Sequence, residues 1–442
     1  MAVTSSDLRQ SKLAKAPGKA LKQTFRSLSN RNYRLYFAGQ LVSMIGTWMQ
    51  QLAISWLTYK LTQSPFMLGA IAFACMGPTI LFGPFAGVIP DLFNRHKLLI
   101  TTQSLLMLQS VLLTFITLQG HVQVWQLIAL GAFAGMVNAV DMPTRQAFVV
   151  DMSERKEDLS NVIALNSSLM NFTRLIGPAL AGIVVATWGE GTCFMLNSIS
   201  FVAVIIALMA MRIKPQNNRH EGVKVLEHLR QGFTYVGSSM PIKFLLFTTA
   251  LTSLIVVPYM VLMPVYAKTI FHGNAQTLGY MMGATSLGSL IGTLMLASRK
   301  SVLGLGRWLI TSLLLLAASL LIFAFSHNML LSFVALIIGG FGMTTQMASS
   351  NTMLQTIVDD DKRGRVMSLY TMAFLGVSPI GGLLDGYLAV HIGCIAIACG
   401  SGVLAIALAV NAGFRMPKLR QHARPIYIER GIIPPVVESV QS

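Results

Sequence analysis

Apolar residues along the chain form twelve long blocks that are separated by short polar breaks. A helix needs about 20 mostly apolar residues to cross the hydrocarbon core of a bilayer, and each block reaches that length. The blocks therefore predict six membrane spans, a polar linker and six further spans. The predicted spans are 33–59, 66–90, 98–118, 125–147, 160–187, 192–212, 242–271, 277–298, 307–326, 329–353, 365–390 and 393–414.

These spans divide the chain into five segments. A basic N-terminal segment, 1–32, precedes a first six-helix half, 33–212, and a linker, 213–241, leads to a second six-helix half, 242–414. A basic tail, 415–442, follows the last span. The first apolar block has full spanning length, and no short apolar segment with a cleavage site precedes it. We therefore expect no cleaved signal peptide.

The two halves resemble each other in sequence. Span 5 carries Gly177 and Pro178, and span 11 carries Gly376 and Pro379 at the corresponding place. Two six-helix halves of the same orientation imply parallel repeats around an axis along the membrane normal. We therefore predict an all-α polytopic membrane protein whose twelve helices surround a central cavity. A binding site near the middle of the membrane follows from that architecture.

Composition and charge fit a membrane protein. Of the 442 residues 54% are hydrophobic and 11% are charged, whereas soluble domains average about 25% charged residues. The net charge of +17 could indicate a nucleic-acid partner, but all 33 Lys and Arg except Lys60, Lys268 and Arg174 fall on the predicted side of both termini. The positive-inside rule makes that side the cytoplasm, where basic loops face anionic lipids rather than nucleic acid. We expect a multi-pass protein of the bacterial cytoplasmic (inner) membrane.

The sequence lacks the motifs of common enzymes. It contains no GxxxxGK[ST] phosphate loop, no HExxH zinc motif and no GxSxG nucleophile elbow. No histidine lies well inside a predicted span. We therefore expect no enzyme, no catalytic residue, no cofactor and no metal site. Uphill transport would then draw on an ion gradient.

Arg174 is the most informative single residue. It lies near the middle of the bilayer, where a charge costs about 2.5–3.5 kcal/mol on insertion scales, so it needs a wet or paired environment. Ser167, Asn171 and Arg174 recur at i, i+4 and i+7, which places them on one stripe of span 5. Two interpretations stay open: a guanidinium that binds an anion in the cavity, and a buried structural ion pair.

Polar faces on spans 1 and 7 predict further cavity residues. Such faces line a wet cavity or, alternatively, hold helices together. Pro258 and Pro264 are expected to bend span 7. The candidate substrate-binding residues are Arg174, Asn171, Ser167, Gln40, Thr47, Gln51, Thr252 and Tyr259.

Two acids are also embedded in predicted spans. Asp385 lies in the outer part of span 11, and Asp141 lies near the cytoplasmic end of span 4. A carboxyl group in a low-dielectric cavity can exchange protons as the cavity alternates. We assign proton coupling to Asp385 first and to Asp141 second, and a stable hydrogen-bonded role is the alternative for Asp385.

The loop between spans 2 and 3 reads Gly87-Val-Ile-Pro-Asp91-Leu-Phe-Asn-Arg95. This segment resembles the G-x-x-x-D-R-x-G-R loop motif of the major facilitator superfamily, although Leu92 replaces the first Arg and Asn94 the second Gly. The resemblance implies that Gly87, Asp91 and Arg95 belong to the cytoplasmic gate.

By its position, Asp141 resembles the span-4 acid that pairs with the motif's arginine in this superfamily. The resemblance therefore implies a pair between Asp141 and Arg95, which competes with a proton-coupling role for Asp141.

Span 5 resembles the G-P-x-x-G segment of antiporters and exporters, which adds Gly177 and Pro178 to the candidate gating residues. The chain from about 25 to 415 is similar to the siderophore-exporter (enterobactin exporter-like) and drug-efflux branch of the superfamily. The shared features are Arg174 before the Gly-Pro pair and the segment Thr352-Met-Leu-Gln-Thr356 followed by Gly364-Arg-Val366.

The resemblance implies a proton-coupled secondary transporter that exports a small amphipathic or anionic molecule by alternating access. An importer or a lysolipid translocator on the same fold is the alternative transport function. A membrane sensor is the non-transport alternative, and it is disfavoured because no soluble domain is appended. We expect a monomer whose partners are a small-molecule substrate, the proton gradient and anionic lipids.

Overall fold

The structure is a computed structural model, and it describes residues 26–86, 89–152, 156–213, 225–299 and 301–434. Twelve long helices in two groups of six make up most of this part of the chain, as predicted. The first half contains α1 Arg31–Thr62, α2 Pro65–Ala86, α3 Arg95–Leu118, α4 Val124–Asp151, α5 Lys156–Trp188 and α6 Glu190–Met209. The second half contains α7 Met240–Ile270, α8 Ala275–Ala297, α9 Leu305–Phe325, α10 Met329–Ile357, α11 Arg363–Ile392 and α12 Cys394–Glu429. The all-α polytopic fold is confirmed.

Helix α1 is the most polar of the twelve, and the other 11 are long and apolar enough to cross a membrane. Its N-terminus is capped by the side chain of Asn30. Farther along α1, Gln50 donates a hydrogen bond to Gln109 of α3 at 2.9 Å and accepts one from Asn197 of α6 at 2.8 Å. A membrane helix keeps such side chains only where protein or water satisfies them, so α1 lies against its neighbours and not in lipid.

Helices α7 and α11 are irregular in the middle of the membrane. Helix α7 passes through a π turn at Thr252–Val256 and a 3-10 turn at Val257–Leu262, and α11 contains a π turn at Met372–Gly376. Pro258 in α7 has no N–H and cannot continue the helical hydrogen bonding. Ser401 of α12 donates a hydrogen bond to the carbonyl oxygen of Ile255 at 2.7 Å, which satisfies one acceptor of this irregular backbone.

The two halves meet along two seams. Helix α5 packs on α8, where a Cβ at Gly279 would lie 2.5 Å from the carbonyl oxygen of Pro178. Helix α2 packs on α11, where a Cβ at Gly69 would lie 2.9 Å from the Cα of Leu383. Because α2 and α8 begin at the end of the bundle away from the chain termini, both close contacts lie near that end. We call it the far side, and we call the opposite end the terminal side.

Toward the terminal side the same helices separate. A Cβ at Gly83, near the end of α2, would meet no atom within 4 Å, and neighbouring Leu81 is 65% exposed. On the other seam, a Cβ at Gly283 would find its nearest neighbour, the carbonyl oxygen of Leu175, only at 3.9 Å. From these spacings we infer a cleft between the halves that is closed on the far side and open on the terminal side.

A linker helix, Val225–Ser238, and the end of α12 both pack on the second half. Tyr235 donates a hydrogen bond to Asp359 at 3.0 Å, and burial raises the pKa of this tyrosine. Arg430 donates to the carbonyl oxygen of Val358 at 2.8 Å. Helix α12 continues to Glu429, beyond the predicted span end at 414, because apolar side chains of this extension still find buried contacts.

The glycine seams yield a prediction about conformation. Overpacking costs about 1–3 kcal/mol, so Gly279→Val, which places a branched side chain against the backbone of α5, should shift the population toward an open far side by about 5- to 150-fold. We would measure maleimide labelling from the far side at Val265→Cys, since Val265 is buried with Tyr59 and Leu68 where the halves meet.

Gly400→Val on α12 is the matched control, because a Cβ at Gly400 would meet no atom within 4 Å. The control variant should label at the rate of the parent protein. Equal labelling of the Gly279 and Gly400 variants would contradict the closed far-side seam.

Candidate functional site

The crossing of α1 and α5 positions the arginine that the sequence singles out. Trp48 of α1 packs so closely on Gly177 of α5 that a Cβ at Gly177 would collide with the Cβ of Trp48. Pro178 lacks an N–H, so the carbonyl oxygen of Arg174, four residues earlier, receives no helical hydrogen bond from it. Arg174 thus lies one turn from a tight helix crossing, beside an interruption of the backbone hydrogen bonding.

The guanidinium of Arg174 has an aromatic neighbour and, among the described residues, no acidic partner. Its Cζ lies 5.3 Å from the centroid of the Trp48 ring, which is within the range of a cation–π interaction. The ion pairs between described residues involve other arginines and lysines, and none includes Arg174. Within that part of the chain, the buried ion pair considered for Arg174 is therefore not formed.

Four further candidates accompany Arg174 on α1 and α5. Asn171 is half-buried and donates to the carbonyl oxygen of Ser167, one turn before it, at 2.9 Å. Ser167, Thr47 and Gln51 are exposed, as are several apolar side chains of α5. Because polar side chains on two contacting membrane helices are accessible where they border water, we infer that these three residues face the cleft.

The other three predicted substrate-binding residues are buried inside the halves. Gln40 is 0% exposed, and neither of its amide atoms has a hydrogen-bond partner. Thr252 donates to the carbonyl oxygen of Thr248 at 2.8 Å, and the ring of Tyr259 packs against Phe323. In α7 the π and 3-10 turns shift residues away from the 3.6-residue period on which the predicted face depended. None of the three lies on the cleft surface in this conformation.

Asp141 belongs to a closed polar cluster in the first half. Its Oδ1 accepts hydrogen bonds from Thr102 at 2.7 Å and Gln103 at 2.8 Å, and its Oδ2 pairs with Arg145. The carboxylate is 0% exposed. Both of its oxygens have donors, and a buried donor that loses its acceptor is costly, so this geometry favours a structural role.

The network around Arg95 differs from the one that the resemblance implied. Nη1 of Arg95 donates to both carboxylate oxygens of Asp151 at 2.9 Å, and Nη2 donates to Asp91 at 2.7 Å. The predicted pair between Arg95 and Asp141 is wrong, because Asp151 lies almost three turns, about 15 Å, farther along α4 at the level of the loop. Gly87, the remaining loop candidate, lies outside the described residues.

The two departures from the loop motif have different surroundings. Leu92 is 63% exposed and leaves the position of the motif's first arginine without a charge. Asn94 caps α3, because its side chain accepts a hydrogen bond from the backbone N–H of Lys97 at 3.1 Å. The asparagine thus stabilises the start of a helix where the motif has glycine.

Asp385 is the least satisfied of the embedded acids. It is 7% exposed. Within the described part of the chain its Oδ2 has no hydrogen-bond partner, and no Lys or Arg forms an ion pair with it. It lies beside the α2–α11 seam, because a Cβ at the next residue, Gly386, would lie 2.7 Å from the carbonyl oxygen of Pro65. Uptake of a proton on Oδ2 would break no hydrogen bond.

Three contributors were missed from the sequence. Arg145 could have been found, because it follows Asp141 by one turn on the same face of a helix. Asp151 lies where α4 ends, and nothing in the pattern separates it from other loop acids. Nothing in the sequence singles out Trp48, since aromatic residues are common in membrane spans. Among the described residues no group of three or more His, Cys, Asp or Glu side chains is placed to hold a metal ion.

Comparison with known proteins agrees with this architecture. The staphyloferrin A transporter of Staphylococcus aureus is 26% identical over 357 residues, which cover 79% of this chain and 88% of that protein. Macrolide efflux protein A of Streptococcus pyogenes is 23% identical over 392 residues, 86% of this chain and 95% of that protein.

Among solved structures, a bacterial homologue of the human lysosomal transporter Spinster, in an inward-facing and unoccupied conformation, superposes with a TM-score of 0.67 and 12% identity. That alignment covers 90% of this chain and 98% of that chain, and at this identity it supports the fold alone. The sequence profile of the transmembrane secretion effectors matches residues 22–436. The chain therefore belongs to the transmembrane secretion effector family of the major facilitator superfamily, whose members are transporters and not enzymes.

Proposed function

We propose that this protein is a proton-coupled secondary transporter that exports a small anionic or amphipathic molecule by alternating access. Its terminal side faces the cytoplasm of a bacterial cell, where the basic loops lie against anionic lipids. It works as a monomer in the cytoplasmic membrane and needs no cofactor.

The single observation that carries this proposal is the environment of Arg174. A guanidinium inside a membrane helix bundle, without an acidic partner among the described residues and beside a cleft, is suited to a substrate that brings the negative charge. A carboxylate can accept two parallel hydrogen bonds from one guanidinium, which fixes its orientation as well as its position. Two relatives are named staphyloferrin A transporter and macrolide efflux protein A, and these names support a small molecule as the substrate.

The shape of the cleft supports alternating access. Close backbone contacts at Gly279 and Gly69 contribute to the closed far side, and glycine surfaces of this kind allow helices to part and to pack again. In the proposed cycle the present conformation is the one that admits substrate from the cytoplasm. Asp91, Arg95 and Asp151 hold the loop after α2 to α4 and belong to the gate on that side.

Proton coupling is assigned to Asp385, and Asp141 is assigned a structural role. A charged carboxylate needs water or a partner, and a closed α2–α11 seam supplies neither to Asp385. Protonation of Asp385 therefore favours the conformation with a closed far side, and its ionisation favours the open one. That sign suits an exporter, because a proton taken up from outside returns the empty carrier to the cytoplasmic conformation.

Removal of the Arg174 guanidinium should weaken the binding of anions. Each hydrogen bond to a charged group contributes about 1.5–3 kcal/mol, so Arg174→Ala should weaken the binding of a carboxylate probe such as citrate by about 10- to 100-fold. Arg174→Lys keeps the charge but loses the bidentate geometry and should weaken it by about tenfold. Titration calorimetry on purified protein measures the affinities, and thermal unfolding of the same samples reports their stability.

Binding of erythromycin, a macrolide without a carboxylate, should change little in these variants. Arg424→Ala on the exposed face of α12 is the matched control and should bind citrate like the wild type. Normal citrate binding by Arg174→Ala would remove the anion site. A large loss of stability in Arg174→Ala, whatever the probe, would instead indicate a structural role.

Substitution of the two embedded acids should have different consequences. In proteoliposomes with an imposed pH gradient, Asp385→Asn should abolish gradient-driven transport but preserve substrate exchange without a gradient, since exchange needs no proton release. Asp141→Asn removes the acidic partner of Arg145 and should instead lower the free energy of unfolding by about 3 kcal/mol. Gradient-driven transport by Asp385→Asn at the wild-type rate would refute the assignment of coupling to this residue.

A further inference from the structure

The aromatic partner of Arg174 is held in place by the backbone of α5. Trp48 lies in α1 between exposed Thr47 and buried Met49, and its side chain is half-buried. Its Cβ occupies the space that a side chain at position 177 would need, so Gly177 is what admits the indole at this crossing. The Arg174 Cζ then lies over the ring, 5.3 Å from its centroid.

The ring of Trp48 stabilises the guanidinium of Arg174 without occupying its hydrogen-bond donors, which an acidic side chain would occupy. A guanidinium away from bulk water needs a stabilising neighbour, and a carboxylate neighbour would occupy the same N–H groups that a substrate anion needs. The face of an indole attracts the cation through its quadrupole and takes no hydrogen bond from it. The N–H groups at the edge of the guanidinium therefore stay available.

We propose that Trp48 is a positioning residue for substrate recognition: it holds the Arg174 guanidinium in the cleft so that a single carboxylate can bind it bidentately. The inference rests on the proposed function, and it narrows the substrate class to molecules with at least one accessible carboxylate. Affinity for such anions then depends on the ring of Trp48 as well as on the charge of Arg174. Substrates without a carboxylate do not depend on the pair.

Two replacements of Trp48 distinguish the effect of its aromatic face from the effect of its volume. Trp48→Phe keeps an aromatic face, whereas Trp48→Leu keeps an apolar side chain without one. A cation–π interaction in a partly desolvated site is worth enough to change affinity by about three- to tenfold. Citrate binding should therefore weaken by that factor in Trp48→Leu and by clearly less in Trp48→Phe, and the unfolding temperatures of the two variants should agree.

A double-mutant cycle tests whether Trp48 acts through Arg174. In an Arg174→Ala background, Trp48→Leu should cause no further loss of citrate affinity, because no guanidinium remains to be positioned.

A second readout is tryptophan fluorescence. The change in tryptophan emission on adding citrate should disappear in Trp48→Phe. It should persist in the control variant Trp188→Leu, since Trp188 is 69% exposed at the far-side end of α5.

Each outcome decides between distinct explanations. Equal losses in Trp48→Leu and Trp48→Phe, with lower stability and weaker erythromycin binding, would make Trp48 a packing residue and overturn the inference. Additive losses of Trp48→Leu and Arg174→Ala would overturn it as well. If Arg174→Ala loses citrate while Trp48→Leu does not, only this inference fails. If the wild type binds no citrate or other carboxylate probe, the proposed anion site fails and the inference with it.

Discussion

A charge or a polar side chain inside a bilayer has to meet water, a partner or a polarisable neighbour, and this constraint separates the embedded ionisable groups by role. Both carboxylate oxygens of Asp141 accept hydrogen bonds, from Thr102, Gln103 and Arg145, so this acid is satisfied inside the protein. Arg174 has an aromatic neighbour and, among the described residues, no ion pair. Under the proposed function its N–H groups remain available for a substrate anion.

The same constraint separates the contacts inside a half from those between the halves. Polar networks such as the one around Gln50 lie inside one half and tie its helices together. Between the halves, glycine backbones approach closely and apolar side chains such as Phe66 and Tyr387 meet across the α2–α11 seam. Under the proposed function each half moves as a unit, and the contacts between the halves are the ones that break and re-form.

Much of the fold could be predicted from the sequence because apolar block length is a strong constraint, whereas side-chain partners depend on depth and helix geometry. Of the residues predicted to line a cavity from α1, Thr47 and Gln51 are accessible, whereas Gln40 is buried. The polar face predicted for α7 does not form, because π and 3-10 turns interrupt the 3.6-residue period of the helix. Apolar block length also missed the last turns of α12, where apolar residues recur among basic ones.

The halves differ in a way that bears on coupling. Arg174, the proposed contact of the substrate anion, lies on α5 of the first half, whereas Asp385 lies in the second half, where α7 and α11 contain π turns. Under the proposed function the substrate and the proton do not compete for one site. Occupancy at one site can then affect the other only through the seams that both halves share. The α2–α11 seam beside Asp385 is the place where ionisation changes the cost of closure, so coupling between proton and substrate follows from the conformational equilibrium and needs no direct contact between the two residues.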